Sequence, residues 1–304
     1  MTEAGASEAP PVAVRELLGL TVNPCDRLWR YPLGHAVVRA ALRTPLTPNH
    51  VTIGHTLLGI STGFMIATGR PAWLVAAGLL YEVRSVLDCF DGVLARARKV
   101  ASPYGRAMDQ TGDFLSFAAM IIGSGVAIAR TLGAPAATVL VLVTSALSAT
   151  CTLCWDFYKR RFSSLLVDGR DEIGDAYRSL EAESRTRGGF ALGFSLFLAR
   201  AQLWFFDPAG VAGARTARDT ADDATVQRLR QLADARDPGL RRALLRVGAS
   251  GGDTAIFILT VSIALTRPLE GFFAASVYCV AILVATVAAS NRLLRVPAAP
   301  ASHP

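Results

Sequence analysis

The sequence predicts an all-α integral membrane protein with six transmembrane helices, an N-terminal amphipathic surface helix and a long cytoplasmic insert between helices 4 and 5. Of the 304 residues, 52% are hydrophobic and only 18% are charged, whereas a soluble domain usually carries about 25% charge. Several stretches almost without charge approach the roughly 20 residues that a bilayer-spanning helix needs. The net charge is +7, but the arginines flank the apolar stretches. We therefore expect membrane lipids as partners and no nucleic acid.

Six apolar stretches are the predicted transmembrane helices. Gly or Pro residues separate the first stretch from the second, the third from the fourth, and the fifth from the sixth. The spans are 50–69, 72–96, 110–130, 134–156, 250–267 and 270–291. The three breaks predict hairpin loops on one side of the membrane. The opposite side receives the basic segments, so the positive-inside rule places both termini and the 96–109 loop in the cytoplasm. The sequence thus predicts a multi-pass protein of the cell membrane.

The segments around the spans differ in composition. The predicted organisation is a disordered N-terminus (1–12), an amphipathic juxtamembrane segment (13–48), transmembrane helices 1–4 (49–156), an insert (157–249), transmembrane helices 5 and 6 (250–295) and a tail (296–304). The juxtamembrane segment alternates apolar and basic residues, Arg30 among them, and is predicted to lie on the membrane surface, with helix breaks near Pro24 and Pro32. Within the insert, 190–206 is apolar except for Arg200. We interpret it as a membrane-surface or re-entrant helix, because a seventh span would upset the topology.

The cysteines, histidines and most glycines do not indicate a site. Cys151 and Cys154 form a CxxC within an apolar run, and no second pair or His cluster completes a metal site. No function is assigned to the histidines; His55, inside the first span, is interpreted as pairing with a neighbouring helix. The spacing of Gly59, Gly63 and Gly69 is typical of helix packing and not of a nucleotide-binding loop.

One acidic pattern stands out across the second and third spans. It reads Asp88-x-x-Asp91-Gly92-x-x-Ala95-Arg96, then eight residues, then Gly105-x-x-x-Asp109-x-x-x-Asp113. Spacings of three and four place side chains on one face of a helix. One stripe of the second span is therefore expected to carry Arg84, Asp88, Asp91 and Ala95, and one stripe of the third to carry Asp109 and Asp113. Pro103 and Gly105 are expected in the connection, so the two helices can run antiparallel. The acidic stripes of the two helices are then predicted to face each other.

Four carboxylates at membrane depth require a compensating charge. Each Asp at a helix centre costs about 2.5–3.5 kcal/mol on insertion scales. One arginine cannot neutralise four acids, whereas one or two Mg²⁺ or Mn²⁺ ions can, and such ions prefer oxygen ligands. Paired divalent ions suit the clamping of a diphosphate. The small residues Gly92, Ala95 and Gly105 leave room for a nucleotide beside the helix backbone.

These residues resemble the signature of the CDP-alcohol phosphotransferases, also called CDP-alcohol phosphatidyltransferases. The segment from Thr44 to Thr52 is similar to the family's entry to its first span, and the resemblance covers roughly 23–156. It implies that Asp88, Asp91 and Asp109 ligate metal, and that Asp113 is a further ligand or the general base acting on the acceptor hydroxyl. It also implies nucleotide contacts by a second set of residues: Gly92, Ala95, Arg96 and Gly105, with Asn49 and Thr52 as weaker candidates.

The resemblance implies transfer of a substituted phosphate, phosphatidyl from CDP-diacylglycerol, to an alcohol acceptor, with release of CMP, in phospholipid biosynthesis. The active site would face the cytoplasm, and a homodimer is a further hypothesis. A phosphate-bearing acceptor would need extra cations, for which Lys159, Arg160, Arg161 and Arg246 are candidates; their alternative role is to enforce topology. Two other functions are weighed: a membrane prenyltransferase using a metal-bound diphosphate, whose acidic motifs lie on well-separated helices, and an ion-coupled transporter.

Overall fold

The computed structural model describes residues 12–100, 103–169, 172–187, 190–206 and 219–294. Within these ranges the chain forms twelve α-helices and one π-helical turn, and no strand. The helices are α1 (Val12–Gly19), α2 (Tyr31–Ala41), α3 (Pro48–Ala67), α4 (Pro71–Ala97), α5 (Pro103–Leu132), α6 (Ala134–Val167), α7 (Glu172–Arg187), α8 (Phe190–Phe206), α9 (Asp219–Asp234), α10 (Pro238–Ala249), α11 (Gly252–Ala264) and α12 (Pro268–Leu294), with the π-helical turn (Asp26–Arg30) before α2.

The all-α prediction is confirmed, and each predicted span coincides with a helix: α3, α4, α5, α6, α11 and α12. By length and composition, three helical stretches can cross a membrane: Met108–Leu132, Ala134–Val167 and Pro268–Leu294. The count rises to four if α10 and α11 form one broken span. Helices α3 and α4 fall outside that count, because polar side chains lower their hydropathy. The six-span topology therefore stays a prediction.

Two predicted breaks are wrong. Pro32 does not break the chain, because it lies in the first turn of α2, where a helix tolerates proline. Pro103 and Gly105 are not in a connection, since α5 begins at Pro103. Helix α6, which contains the predicted span 134–156, continues to Val167. The predicted disordered N-terminus lies outside the described residues except for Val12, and the predicted tail lies wholly outside them.

The chain divides into two compact units. The first comprises Asn23–Thr150 and Gly252–Ala281, and it contains the whole acidic pattern. The second comprises Met1–Val22, Cys151–Gly251 and Ile282–Pro304. Each unit has its own buried apolar residues.

Helix α3 starts at a capping box. The Thr47 hydroxyl accepts from the His50 backbone N–H, the His50 side chain accepts from the Thr47 N–H, and Pro48 occupies the first turn. This arrangement satisfies N–H groups that have no partner within the helix, and a proline there removes one such donor. The sequence Thr47-Pro48-Asn49-His50 thus fixes where α3 begins.

The two faces of α3 reverse the pattern of a water-soluble helix. Ile53, Leu57 and Phe64 are exposed, Phe64 by 74%, whereas His55 and Thr62 are fully buried. Leaving large apolar side chains in water costs about 25 cal/mol per Å², a cost that lipid removes. A helix with polar groups inside and apolar groups outside therefore indicates that this unit lies in a membrane.

Small residues bring α3 and α5 close together. A Cβ on Gly63 would lie 2.5 Å from the carbonyl oxygen of Ala119, and a Cβ on Gly123 would collide with the carbonyl oxygen of Gly63. A Cβ on Gly59 would collide with Ser116. The helix-packing interpretation is confirmed for Gly59 and Gly63, since any side chain there would push the two backbones apart. Gly69 instead follows the end of α3 with a positive φ of 65°.

A buried ionic group ties the N-terminal segment to α4. We call it the Arg30 cluster; its members are Asp26, Trp29, Arg30, Glu82 and Asp253. The Arg30 guanidinium donates to both oxygens of Glu82, at 2.9 Å each, and to Asp26 Oδ1 at 3.2 Å. Trp29 Nε1 donates to the same Glu82 at 2.7 Å, and Asp253 lies 4.0 Å from Arg30. Arg30 is therefore not the headgroup-facing residue that the amphipathic pattern predicts: it is only 2% exposed.

The core of the second unit is built around aromatic residues. Phe157, Tyr158 and Phe162 of α6 pack with Leu229 of α9 and Leu244 of α10. Within this unit Arg200, the lone charge of α8, donates to Glu181 of α7 at 3.2 Å and to the Tyr177 hydroxyl at 3.1 Å. This pairing explains why a charged residue is tolerated in an apolar helix.

Candidate metal centre

Three helices of the first unit bring four potential metal ligands together. Helix α3 supplies His55, α4 supplies Asp88 and Asp91, and α5 supplies Asp109. One ligand atom from each lies within 4.8 Å of all the others. We call these four residues the aspartate cluster. The prediction that the acidic stripes of α4 and α5 face each other is confirmed for three of the four aspartates.

Asp91 is the most firmly held of these carboxylates. It is 5% exposed, and its Oδ2 accepts a hydrogen bond from Thr52 Oγ1 at 2.6 Å. His55 Nε2 lies 3.2 Å from the same oxygen. Thr52 and His55 are three residues apart, so they share one face of α3 and reach α4 together. The first turns of α3 therefore orient a carboxylate on α4.

Asp113, the fourth aspartate, has a different partner. It lies one helical turn beyond Asp109 and forms an ion pair with Arg84 of α4, which is buried. Arg84 Nη2 also lies 3.9 Å from Asp88 Oδ1. Arg84 thus connects Asp113 to the edge of the aspartate cluster, while Asp113 itself stands outside the group of four. Its roles as ligand or base stay predictions.

The predicted nucleotide-contacting residues surround the cluster on the same helices. Gly92 and Ala95 are half-buried and Arg96 is exposed, on the turns of α4 that follow Asp91. A Cβ on Gly92 would lie 3.5 Å from the Arg96 guanidinium, so that side chain folds back over the glycine. Gly105 is half-buried in the first turns of α5, and Asn49 is exposed at the start of α3. Thr52 instead contacts Asp91; its contact with a nucleotide stays a prediction.

The donor set fits a divalent cation. Carboxylate oxygens are the ligands that Mg²⁺ and Mn²⁺ prefer, and imidazole is compatible with Mn²⁺. Asp109 Oδ1 is buried and has no hydrogen-bond partner among the described residues. A buried carboxylate oxygen without a partner is costly unless a ligand completes it. These residues can therefore hold a metal ion.

The expected pairing of His55 with a neighbouring helix is confirmed by its contact with Asp91 of α4, but sequence reasoning missed His55 as a candidate ligand and missed the pairing role of Arg84. The available signal for His55 was its spacing: Thr52, His55, Gly59 and Thr62 are polar or small residues on one face of an otherwise apolar helix. Arg84 was recognised on the acidic stripe of α4, but nothing in the pattern showed which aspartate it would bind. The proposed acceptor cations belong to the second unit, where Lys159 lies 4.2 Å above the Trp155 ring and Arg160 pairs with Asp156 at 2.7 Å.

The fold and the cluster define a multi-helical protein of membrane character whose first unit contains a carboxylate cluster that could hold a metal ion. Comparison with known proteins narrows this class. Residues 45–163 match the family described as CDP-alcohol phosphatidyltransferase, which confirms the family resemblance drawn from the motif. The matched segment contains α3, α4, α5 and most of α6.

A curated relative supports the same assignment. The chain is 35% identical over 106 residues to a protein of Rubrobacter xylanophilus named "Bifunctional IPC transferase and DIPP synthase". The alignment covers 34% of this chain and 24% of that protein. The chain thus spans only about a quarter of the relative's length, and the relative's full activity is not carried over to it.

Proposed function

We propose that this chain is a CDP-alcohol phosphotransferase, which transfers a substituted phosphate from a CDP-linked alcohol to an alcohol acceptor and releases CMP. In the specific form of the proposal, the donor is CDP-diacylglycerol and the transferred group is phosphatidyl. One observation carries it: Asp88, Asp91 and Asp109 converge with His55 within 4.8 Å, inside the segment that matches the family.

The aspartates would hold one or two Mg²⁺ or Mn²⁺ ions. When bound, a divalent cation supplies positive charge beside the diphosphate of the donor and the CMP that leaves. Gly92 and Gly105 offer helix surface without side chains, which lets a nucleotide approach the backbone. Arg96, exposed one turn after Gly92, supplies a cation for a phosphate oxygen.

Asp113 is the proposed general base. In the reaction a bond forms between the acceptor oxygen and the β-phosphorus of the donor, the bond from that phosphorus to CMP breaks, and the acceptor proton passes to the Asp113 carboxylate. A hydroxyl needs such a base because its pKa is too high for unaided attack. The ion pair with Arg84 orients the Asp113 carboxylate. Asp113→Asn should lower kcat by about 10²–10⁴-fold and leave Mn²⁺ affinity unchanged; an equal loss of Mn²⁺ affinity would make Asp113 a ligand instead.

We also propose on which side of the membrane the site lies, which cations bind the acceptor and how the chain assembles. Six spans would place the site towards the cytoplasm of a cell membrane, since the basic segments lie at that end of the apolar stretches. An acceptor that carries a phosphate would need cations besides the metal, and Arg161 and Arg246 are the proposed ones. Assembly as a homodimer also stays a proposal.

A direct assay tests the function. The purified chain in lipid nanodiscs is incubated with CDP-diacylglycerol, Mn²⁺ or Mg²⁺, and a panel of alcohols that includes phosphorylated ones. CMP is quantified, and the lipid product is identified by mass spectrometry. The proposal expects metal-dependent CMP release with one acceptor class and none with the Asp91→Asn variant. Metal binding without CMP release from any CDP-alcohol would contradict it and favour a prenyltransferase or a transporter.

A further inference from the structure

His55 points into the space between the three aspartates from a third helix. Its Nε2 lies 3.2 Å from Asp91 Oδ2 and 3.8 Å from both Asp88 Oδ1 and Asp109 Oδ1. The imidazole is fully buried. A single ring nitrogen therefore faces three carboxylate oxygens at once.

Hydrogen bonding accounts for at most one of these three contacts. The 3.2 Å distance suits a hydrogen bond, but 3.8 Å is too long for one. Around an octahedral ion with bonds of about 2.1 Å, adjacent ligand atoms are about 3.0 Å apart and opposite ones about 4.2 Å. All three distances from Nε2 fall between these limits. The imidazole nitrogen thus occupies the place of a fourth ligand atom.

Orientation of Asp91 does not depend on His55. Thr52 Oγ1 already donates to Asp91 Oδ2 at 2.6 Å, so this carboxylate has a donor from the same helix one turn earlier. A histidine whose only task was to hold Asp91 would duplicate that bond. Such a task would also give no reason for its distances to Asp88 and Asp109.

We propose that His55 Nε2 is a direct ligand of the divalent ion, together with Asp88, Asp91 and Asp109. The inference rests on the metal site of the proposed function and adds the fourth ligand. A nitrogen ligand has a chemical consequence, because Mg²⁺ is held by oxygen ligands, whereas a transition-metal ion such as Mn²⁺ accepts an imidazole ligand more readily than Mg²⁺ does. The site therefore selects Mn²⁺ over Mg²⁺ more strongly than a site of carboxylates alone.

The test uses Mn²⁺ as a spectroscopic probe and needs no substrate. Tag-free protein in nanodiscs is loaded with one equivalent of Mn²⁺, and pulsed electron paramagnetic resonance detects ¹⁴N coupling from a coordinated imidazole. Wild type should show the coupling. His55→Gln, which keeps an N–H donor for Asp91, should lose it and should bind Mn²⁺ at least about tenfold more weakly, with a smaller change for Mg²⁺.

Two control variants separate a ligand role of His55 from a role in positioning Asp91. His35→Asn changes an exposed histidine of α2 and should keep the ¹⁴N coupling. Thr52→Val removes the other donor to Asp91 and should also keep it. Bound Mn²⁺ without ¹⁴N coupling in wild type would overturn the inference and make His55 a positioning residue for Asp91. Failure of wild type to bind Mn²⁺ at all would overturn the metal site itself, and a positive CMP assay would show separately whether the proposed function survives.

Discussion

Helix α4 contributes residues to two buried ionic groups, which differ in whether their carboxylates have hydrogen-bond partners. In the Arg30 cluster, Glu82 receives two bonds from one guanidinium and a third from Trp29. In the aspartate cluster, three carboxylates converge on one imidazole nitrogen, and Asp109 Oδ1 has no hydrogen-bond partner among the described residues. Both groups are rich in acids, so the number of acids does not tell them apart. What distinguishes a structural group from a candidate binding site is whether side chains already satisfy the carboxylates.

The largest expected effect comes from a substitution that disrupts the Arg30 cluster. Arg30→Met leaves Glu82 without its bidentate partner, and removal of one member of a buried ion pair costs about 3–5 kcal/mol. We expect the free energy of unfolding in nanodiscs to fall by that amount, while the folded fraction still binds Mn²⁺. The double variant Arg30→Met, Glu82→Gln should recover part of the loss. Unchanged stability of Arg30→Met would show that the cluster does not hold the N-terminal segment.

The next largest effect comes from substitutions in the aspartate cluster, which should remove metal binding and leave the fold intact. Asp88→Asn, Asp91→Asn and Asp109→Asn each remove a proposed ligand and reduce the repulsion among the acids. CMP release should fall by about 100-fold or more, and the metal concentration needed for half-maximal rate should rise. The unfolding free energy should stay level or increase. Full activity of any of the three at limiting metal would contradict its assignment as a ligand.

A smaller effect tests the orientation of Asp91. Thr52→Val preserves the shape of the side chain but removes the 2.6 Å hydrogen bond to Asp91. Loss of such a supporting contact typically weakens metal binding by about 10-fold or somewhat more. Titration with Mn²⁺ measures this, with Thr56→Val, on the next turn of α3, as the matched control. If Thr52→Val lowers donor affinity and not Mn²⁺ affinity, Thr52 contacts the nucleotide instead.

The smallest effect concerns pH and the Arg30 cluster. Burial raises the pKa of Asp26 above its ordinary value, although Arg30 acts in the opposite direction. An acid whose pKa is raised in the folded state binds its proton more tightly there, so stability falls as pH rises above about 4 through the raised pKa. Asp26→Asn removes this dependence. The unfolding free energy of the variant relative to wild type should therefore increase between pH 4.5 and 7.5, and a constant difference would rule out this contribution.

The sequence predicted the aspartates well because their spacing encodes one helix face. Asp88, Asp91 and Asp109 needed only helical periodicity and an antiparallel pair to meet, and all three do. His55 was not predicted as part of the site, because its spacing with Thr52 and Gly59 indicates a polar face of α3 but not which residues that face contacts. Its role depends on how closely α3 approaches α4 and α5, which only the packing of Gly59 and Gly63 reveals.

Three other expectations, for Pro32, Pro103 and Arg30, were wrong for reasons that involve particular residues. Pro32 and Pro103 both appeared as breaks, yet each lies in a first helical turn, where the missing N–H costs nothing. Arg30 was expected at headgroups because basic residues usually are. Its burial depends on Glu82, which is 52 positions away in the chain, and sequence spacing does not show such a partner. Polar residues lower the hydropathy of α3 and α4, so neither helix counts as a candidate span. These polar residues include His55, Asp88 and Asp91, which belong to the aspartate cluster.

The backbone contact between Gly63 and Gly123 has a mechanical consequence. Two helices that touch without intervening side chains tilt as one body, because neither can slide without a collision. Helices adapt to thicker or thinner bilayers mainly by tilting. In membranes of different thickness the pair α3 and α5 should therefore change its angle to the bilayer normal while the separation of His55 and Asp109 stays constant.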